Sequence, residues 1–424
     1  MRPLILTFLL SALLITSCSS CSRTTNPIIK PSVFHPPVNN TALDKETQKN
    51  RLMTGAEQVN TYLPALKGKR IGMVLNQTSV IGNKHSVDSL RTLGVNIVKV
   101  FGPEHGFRGE ASAGAKVTDN IDAKTGIPVI SLYGTHYKPT PEDLKGIDLM
   151  VFDIQDVGAR FYTYISTLHY LMEACAENNM ELMILDRPNP NAFSIDGPIL
   201  KEKHKSFIGM HPIPITHGMT IGEYAQMING ESWLKNKIQC KLNIIKMANY
   251  THATPYKLPV KPSPNLNTQQ SILLYPSLCL FEGTIISQGR GTYFPFQVLG
   301  SPKLSGKYTF NFTPVSIKGM SETPLHQNQK CYGLDLRKYD TSIFSKTGKI
   351  NLQWLIDIYK AYPEKDKFFD YKQNAQINNF DRLAGTETLK AQVIAGKTEK
   401  EIRDSWEPEL SQFKTMRKKY LLYQ

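Results

Sequence analysis

Between residues 70 and 188 the chain repeats one pattern five times: a short run dense in Val, Ile, Leu and Met, followed by a polar turn. The runs are RIGMVLNQT (70–78), VNIVKVFGP (95–103), PVISLYG (128–134), DLMVFDIQD (148–156) and ELMILDRP (181–188). Each is apolar on both faces, so each must be covered from both sides. Helical stretches around His85 to Leu93 and from about Tyr164 to Asn178 fall between them. Strands buried on two faces and joined by helices make a parallel sheet with a helical layer on either side. The expectation is an α/β fold, a doubly wound parallel sheet, over residues 52–250.

After about residue 250 the pattern loosens. Proline-rich loops (YKLPVKPSPNLN), short β-like runs such as KYTFNFTPVSI, and helices near 351–361 and 400–423 predict a second, smaller α+β domain over 251–424. Pro408 lies inside the last helix and is expected to kink or split it, because proline lacks a donor and crowds the preceding turn. At 424 residues and 41% hydrophobic, the chain can supply both domains with a core.

The N-terminus, MRPLILTFLLSALLITSCSSCSR, has one positive charge at Arg2, an apolar run from Leu4 to Ile15, and small residues leading to a cysteine. That is the form of an export signal, too short for a good membrane span. Ile15-Thr16-Ser17-Cys18 resembles a bacterial lipobox. It implies a signal peptide over 1–17 and Cys18 as the acylated first residue of the mature chain. Residues 18–51, rich in Pro, Asn and Thr, then read as a tether. The expected location is exported, lipid-anchored in the bacterial envelope and facing the periplasm, with the membrane as a partner. A redox reading of Cys18-Ser19-Ser20-Cys21 lacks the folded context that motif needs. Cys21, Cys175, Cys240, Cys279 and Cys331 show no metal-ligand spacing. A bridge such as Cys240 to Cys279 suits an oxidising compartment, though spacing does not fix the pairing.

The formal charge is +14. The basic residues are scattered, with one short cluster, MRKKY, so a nucleic-acid partner is not expected. Anionic cell-wall polymers or lipid headgroups suit this balance better.

In open parallel sheets, ligands bind outside the carboxyl ends of the strands. The residues there are Asn76 and Gln77; Glu104, His105, Arg108 and Glu110; Tyr133 and His136; Asp153, Gln155, Asp156 and Arg160, with Tyr162 and Tyr164 following; and Asp186, Arg187 and Asn189. A glycine-rich string, EGTIISQGRGT (282–292), adds Glu282, Ser287 and Arg290. Several have structural readings: Asp186 shaping a proline turn, Asp153 as a strand-end acceptor, Arg160 as a stacked arginine. Glu104, between Pro103 and His105, has no cap or helix pair to serve.

The first strand leads into NQTSVIGN, without the glycines of a dinucleotide turn. No phosphate loop, nucleophile elbow or zinc-protease helix motif occurs either. Neither a cofactor nor a metal is expected. Carboxylates, tyrosines and arginines together suit a polar, uncharged-to-anionic substrate such as a sugar. Glycoside hydrolysis needs one protonated carboxyl for the leaving oxygen and a second group for the other face. Burial and mutual repulsion separate the two pKa values.

The strings FGPEHGFRGE, VFDIQDVGARFYTY, LDRPNP and EGTIISQGRGT together resemble the NamZ-type exo-β-N-acetylmuramidases, exported glycosidases that remove N-acetylmuramic acid from the non-reducing ends of peptidoglycan fragments. The resemblance implies a Rossmann-like sheet domain without a dinucleotide, a smaller C-terminal domain, and a cleft that serves cell-wall turnover or recycling. The family's glutamate falls on Glu104, the leading catalytic acid/base candidate, with His105 and Arg108 orienting it or binding substrate. Asp153 and Asp156 are candidates for the second catalytic group, partnered by Tyr162 or Tyr164. Arg160, Arg187 and Arg290 are candidate readers of the lactyl carboxylate, and Gln155, Asp186, Asn189 and Glu282 are further substrate contacts. The partners implied are peptidoglycan-derived saccharides, MurNAc-GlcNAc or muropeptides; oligomeric state is not legible. Rival readings are a non-catalytic lipoprotein that binds cell-wall sugars, and an esterase or amidase assembled from distant Ser and His residues.

Overall fold

The computed structural model describes residues 50–108, 119–369 and 380–424. The expected signal peptide and all but the last two residues of the expected tether, with Cys18 and Cys21, lie outside the described residues, as does Glu110. All five apolar runs form strands: β1 (Arg70–Leu75), β2 (Asn96–Gly102), β4 (Pro128–Ser131), β5 (Leu149–Asp153) and β6 (Glu181–Leu185). Two strands join them, a two-residue edge β3 (Asn120–Ile121) and β7 (Lys241–Ile245). The sheet order is β7-β6-β5-β1-β2-β4-β3, and only the pairing of β3 with β4 is antiparallel.

Successive residues of the central strands enter different cores, as side chains alternating across a buried sheet must. Leu149 and Val151 of β5 join Ile71 and Met73 under helices α1 (Val59–Leu66) and α2 (Ser86–Thr92). Met150 and Phe152 face the other way, toward α3 (Tyr164–Glu177) and α4 (Ile221–Gly230). Thr220 caps α4 through a reciprocal pair with Glu223.

The remainder of the chain contributes α5 (Gln269–Leu278), α6 (Gln353–Ala361), α7 (Glu399–Arg417), and a small antiparallel sheet of β8 (Val298–Ser301), β9 (Phe310–Phe312) and β10 (Cys331–Asp335) in the order β8-β10-β9. The larger core runs without a break from Val74 to Phe413. Helix α7 is not split at Pro408. That proline faces solvent, where water can satisfy the carbonyl left without its partner. The four described cysteines are unbridged, and Cys240 meets the thiol of Cys175 on α3 rather than Cys279.

The chain's end returns to the sheet. The Tyr423 hydroxyl donates to Asp186 Oδ2 at 2.7 Å, and the amide of Met247 donates to Tyr423 Oη at 3.0 Å. Leu422 N donates to Glu223 Oε1 at 2.9 Å. Residues beside β6 and α4 are therefore tied to the last residues of the sequence.

Candidate active site

From β1 the chain moves to β2 on one side of the sheet and later to β5 on the other. The carboxyl ends of β1, β2 and β5 thus flank the point where strand order reverses, which opens a crevice. Glu104 stands there, half-buried, in a turn closed by a 2.9 Å bond from Gly106 N to Pro103 O. His105 occupies the turn at a φ of 71°, a left-handed conformation that a non-glycine residue holds only against strain. Thr163 Oγ1 donates to Glu104 Oε2 at 3.0 Å, and the Tyr133 hydroxyl donates to the same carboxylate. Burial, then the charge of Glu104, push the Tyr133 phenol well above its usual range.

The other strand-end carboxylates are enclosed. Asp153 is fully buried, accepting from Arg187 Nε at 2.6 Å and from Ser86 Oγ at 2.6 Å. Arg187 also donates to Val80 O at 3.0 Å. Asp186 takes bonds from Thr220 and Tyr423 hydroxyls and from the Gly222 and Arg187 amides, and burial pushes it up to about 6.

Asp156 differs from both. Its Oδ2 accepts from Gly158 N at 2.6 Å, while its buried Oδ1 has no partner. Burial pushes this carboxyl up to about 7. The His217 imidazole lies 4.0 Å away, its Nε2 also unpartnered, and burial pulls it down to about 3. A carboxyl and an imidazole left this dry both favour their neutral forms.

The raised Asp156 value fixes a pH dependence of stability. Unfolded, the group loses its proton near the ordinary 3.8; folded, it holds it to about 7. Between these values the folded state binds more protons, so stability falls as pH rises through the window and levels off above it. Asp156→Asn removes that slope. Relative to the parent, the variant should gain about 2 to 3 kcal/mol between pH 5 and pH 8. Melting temperatures across that range check it, and parallel curves for the two proteins would contradict it.

The tyrosines form a wall. Tyr162 and Tyr164 meet edge to face at 4.8 Å, and both hydroxyls donate to Pro262 O, at 2.9 and 3.3 Å. Asn76 Nδ2 donates to Tyr164 Oη at 2.8 Å, and Gln77 Nε2 reaches Pro262 O at 2.9 Å. The proline-rich loop is thereby pinned against the end of β1. Gln155 Nε2 is taken by the carbonyls of Asp156 and Pro188, at 2.8 and 2.5 Å. Asn189 bonds Met219 O at 3.0 Å and lies over Gly158, where an added Cβ would come within 2.1 Å of its side-chain oxygen.

The arginines depart most from expectation. Arg160 is fully buried, its guanidinium donating to Pro198 O at 2.8 Å, Ile213 O at 2.6 Å and Leu383 O at 2.9 Å. Burial pulls it down to about 9. Arg187 is sealed with Asp153, so neither arginine offers a free face to a substrate carboxylate. Arg108 is clamped to Asp122 at 3.1 and 2.8 Å. Arg290 pairs with Glu282 at 2.6 Å and lies 5.1 Å from the Phe296 ring, with a quarter of its side chain open (26%).

Thr163 and His217 were not singled out by the sequence reading. Thr163 sits between the two tyrosines of ARFYTY, which made it findable. His217 enters from a two-residue ribbon that carries no strand-end signal.

Residues 71–270 match the family described as exo-beta-N-acetylmuramidase NamZ, N-terminal, and residues 273–423 match its C-terminal counterpart. The chain is 42% identical over 400 residues to the peptidoglycan beta-N-acetylmuramidase NamZ of Bacillus subtilis, covering 90% of this chain and 93% of that protein. Two crystal structures of DUF1343 family proteins from Bacteroides fragilis share the fold. One has a TM-score of 0.80 at 46% identity, the other 0.75 at 30%, each covering 88% of this chain and 99% of its own. Both halves of the chain matched in sequence, and the identity sustained over nearly the whole of that relative, place this protein in the NamZ exo-β-N-acetylmuramidase family of glycoside hydrolases.

Proposed function

We propose that this chain releases N-acetylmuramic acid from the non-reducing ends of peptidoglycan fragments, in cell-wall turnover or recycling. The observation that carries the reading is the contrast among the strand-end carboxyls. Asp153, Asp156 and Asp186 are buried, whereas Glu104 is partly open and held by the Thr163 and Tyr133 hydroxyls. An acid that must meet a glycosidic oxygen has to be reachable.

Glu104 protonates the leaving oxygen. Asp156 is the candidate for the group on the other face: its Oδ1 has no partner, but it serves there only as the carboxylate, so the burial that keeps it neutral to about pH 7 has to be relieved when substrate binds. Arg290 is the guanidinium left to read the lactyl carboxylate, by sharing itself with Glu282. His105 and Arg108 hold the Glu104 turn, and Gln155, Asn189, Tyr162 and Tyr164 shape the walls around it.

The test is release of free N-acetylmuramic acid from MurNAc-GlcNAc by purified protein lacking residues 1–21. No release, with tight binding retained, would favour the rival reading of a sugar-binding lipoprotein. The acylated anchor at Cys18 is part of the same proposal and is supported by the lipobox-like string. Cys18→Ala should move the protein from the membrane fraction to the soluble envelope fraction and abolish labelling by a fatty-acid probe. Unchanged membrane association would exclude a lipid anchor at that residue.

A further inference from the structure

Beyond Glu104 the cleft edge carries four aromatic rings, each only half-buried: Tyr133, Tyr137, Tyr170 and Phe207. Tyr137 and Phe207 stack with centroids 4.1 Å apart at 30°, and Tyr170 lies nearly parallel to both, at 6.1 Å and 17° from Tyr137 and 6.4 Å and 18° from Phe207. Tyr133 closes the group, 6.2 Å from Tyr137 and 6.1 Å from Phe207. Its hydroxyl is the one bonded to Glu104. One side chain therefore joins the acid to the rings.

We infer that this wall is the binding platform for the leaving sugar, an uncharged N-acetylhexosamine whose ring face stacks on the Tyr137–Phe207 pair while Glu104 protonates the oxygen it leaves with. The inference rests on the exo-muramidase reading of the same cleft. An acid that donates to a leaving oxygen lies against the sugar bearing that oxygen, so whatever flanks Glu104 through Tyr133 flanks one of the two sugars. Charge decides which. The cation beside the wall, Lys138, is bound to Glu173 at 3.1 Å and Glu177 at 2.7 Å, and the Glu104 charge is felt by Tyr133 and Tyr137. Among the described residues no guanidinium lies over these rings: Arg108 and Arg290 sit against Phe107 and Phe296 instead, and Arg160 and Arg187 are enclosed with other partners. Among the described residues, a sugar carrying a lactyl carboxylate has no guanidinium reader on this side. A neutral pyranose, with its apolar C–H face, fits partly exposed aromatic rings.

The experiment is calorimetric binding to the Glu104→Gln protein, in which the disaccharide stays intact. Tyr137→Ala and Phe207→Ala are added to it separately, with Tyr137→Phe as a variant that keeps the ring. Two ligands are compared: MurNAc-GlcNAc and the methyl β-glycoside of N-acetylmuramic acid, which lacks the leaving sugar. Each alanine variant should weaken the disaccharide about tenfold, the worth of one stacked ring face, and leave the methyl glycoside within about twofold. Tyr137→Phe should match its parent.

Equal weakening of both ligands, no weakening of either, or failure of the disaccharide to bind would overturn the platform. Disaccharide binding that depends on the rings, with no detectable binding of the methyl glycoside, would keep the platform and overturn the assignment of N-acetylmuramic acid to the other subsite. Melting curves confirm that each variant is folded.

Discussion

Glu104→Gln should slow release of N-acetylmuramic acid from MurNAc-GlcNAc by about 10² to 10⁴, the usual worth of general acid catalysis. Glutamine preserves the size of the side chain and still offers an oxygen to the Thr163 hydroxyl, which donates at 3.0 Å. What it lacks is a proton to give. Stability should change by less than about 0.5 kcal/mol, since the group is partly open and keeps that acceptor. Binding of the intact disaccharide should persist. The leaving group supplies the sharper test. A nitrophenyl glycoside departs as a stable phenolate without needing a proton, so the variant should lose far less on it than on the disaccharide. Equal losses on both substrates would assign Glu104 to the opposite face of the sugar, and full activity would remove it from the chemistry.

The second large effect lies one layer below. Arg187→Ala should destabilise the protein by about 3 to 5 kcal/mol, because it leaves Asp153 buried without its counter-charge. Both side chains are almost inaccessible, at 2% and 0%, and the 2.6 Å contact joins the end of β5 to the residues after β6. Such a loss is a large share of the about 5 to 15 kcal/mol that holds an ordinary domain folded. The remaining Ser86 hydroxyl satisfies one oxygen of Asp153 but no charge. Removing both charges together, as Asp153→Leu with Arg187→Met, should recover most of the loss, since a well-packed apolar pair often replaces a buried ion pair at little cost. Urea unfolding midpoints separate these outcomes. A single variant within about 1 kcal/mol of the parent would mean the pair is exposed to water in solution.

The sheet was legible because its strands are apolar on both faces, a pattern that only a doubly covered sheet satisfies. Its edges were less so: β3 is two residues long, and β7 lies beyond the last polar strand end that the pattern marked. In α7, a local rule gave way to tertiary context. Pro408 costs a bond in any helix, yet Ile402, Trp406, Leu410 and Phe413 all pack into the core on either side of it and hold the helix continuous.

At the site, the place of Glu104 at a strand end was legible, because its string follows an apolar run and has no structural duty that explains it. The arginines were not, because their partners are remote. Arg160 bonds the carbonyl of Leu383, which lies 223 residues away in sequence, and a backbone carbonyl leaves no mark in a sequence. Arg187 stands two residues past its strand, where a substrate contact and an internal ion pair look alike. The link from Tyr133 to Glu104 joins the ends of two different strands and depends on the sheet order that sets them side by side.

The bond from Tyr423 to Asp186 has a consequence for the order of events in the cell. Synthesis proceeds from the N-terminus, so the strands of the large sheet are made long before residue 423. Until that residue leaves the ribosome, the buried Asp186 lacks one of its four donors and the loop at Met247 lacks its acceptor. The nascent sheet thus stays unfinished until residue 423 has been made. Completion of an early-made sheet therefore waits on a tyrosine made long after its last strand.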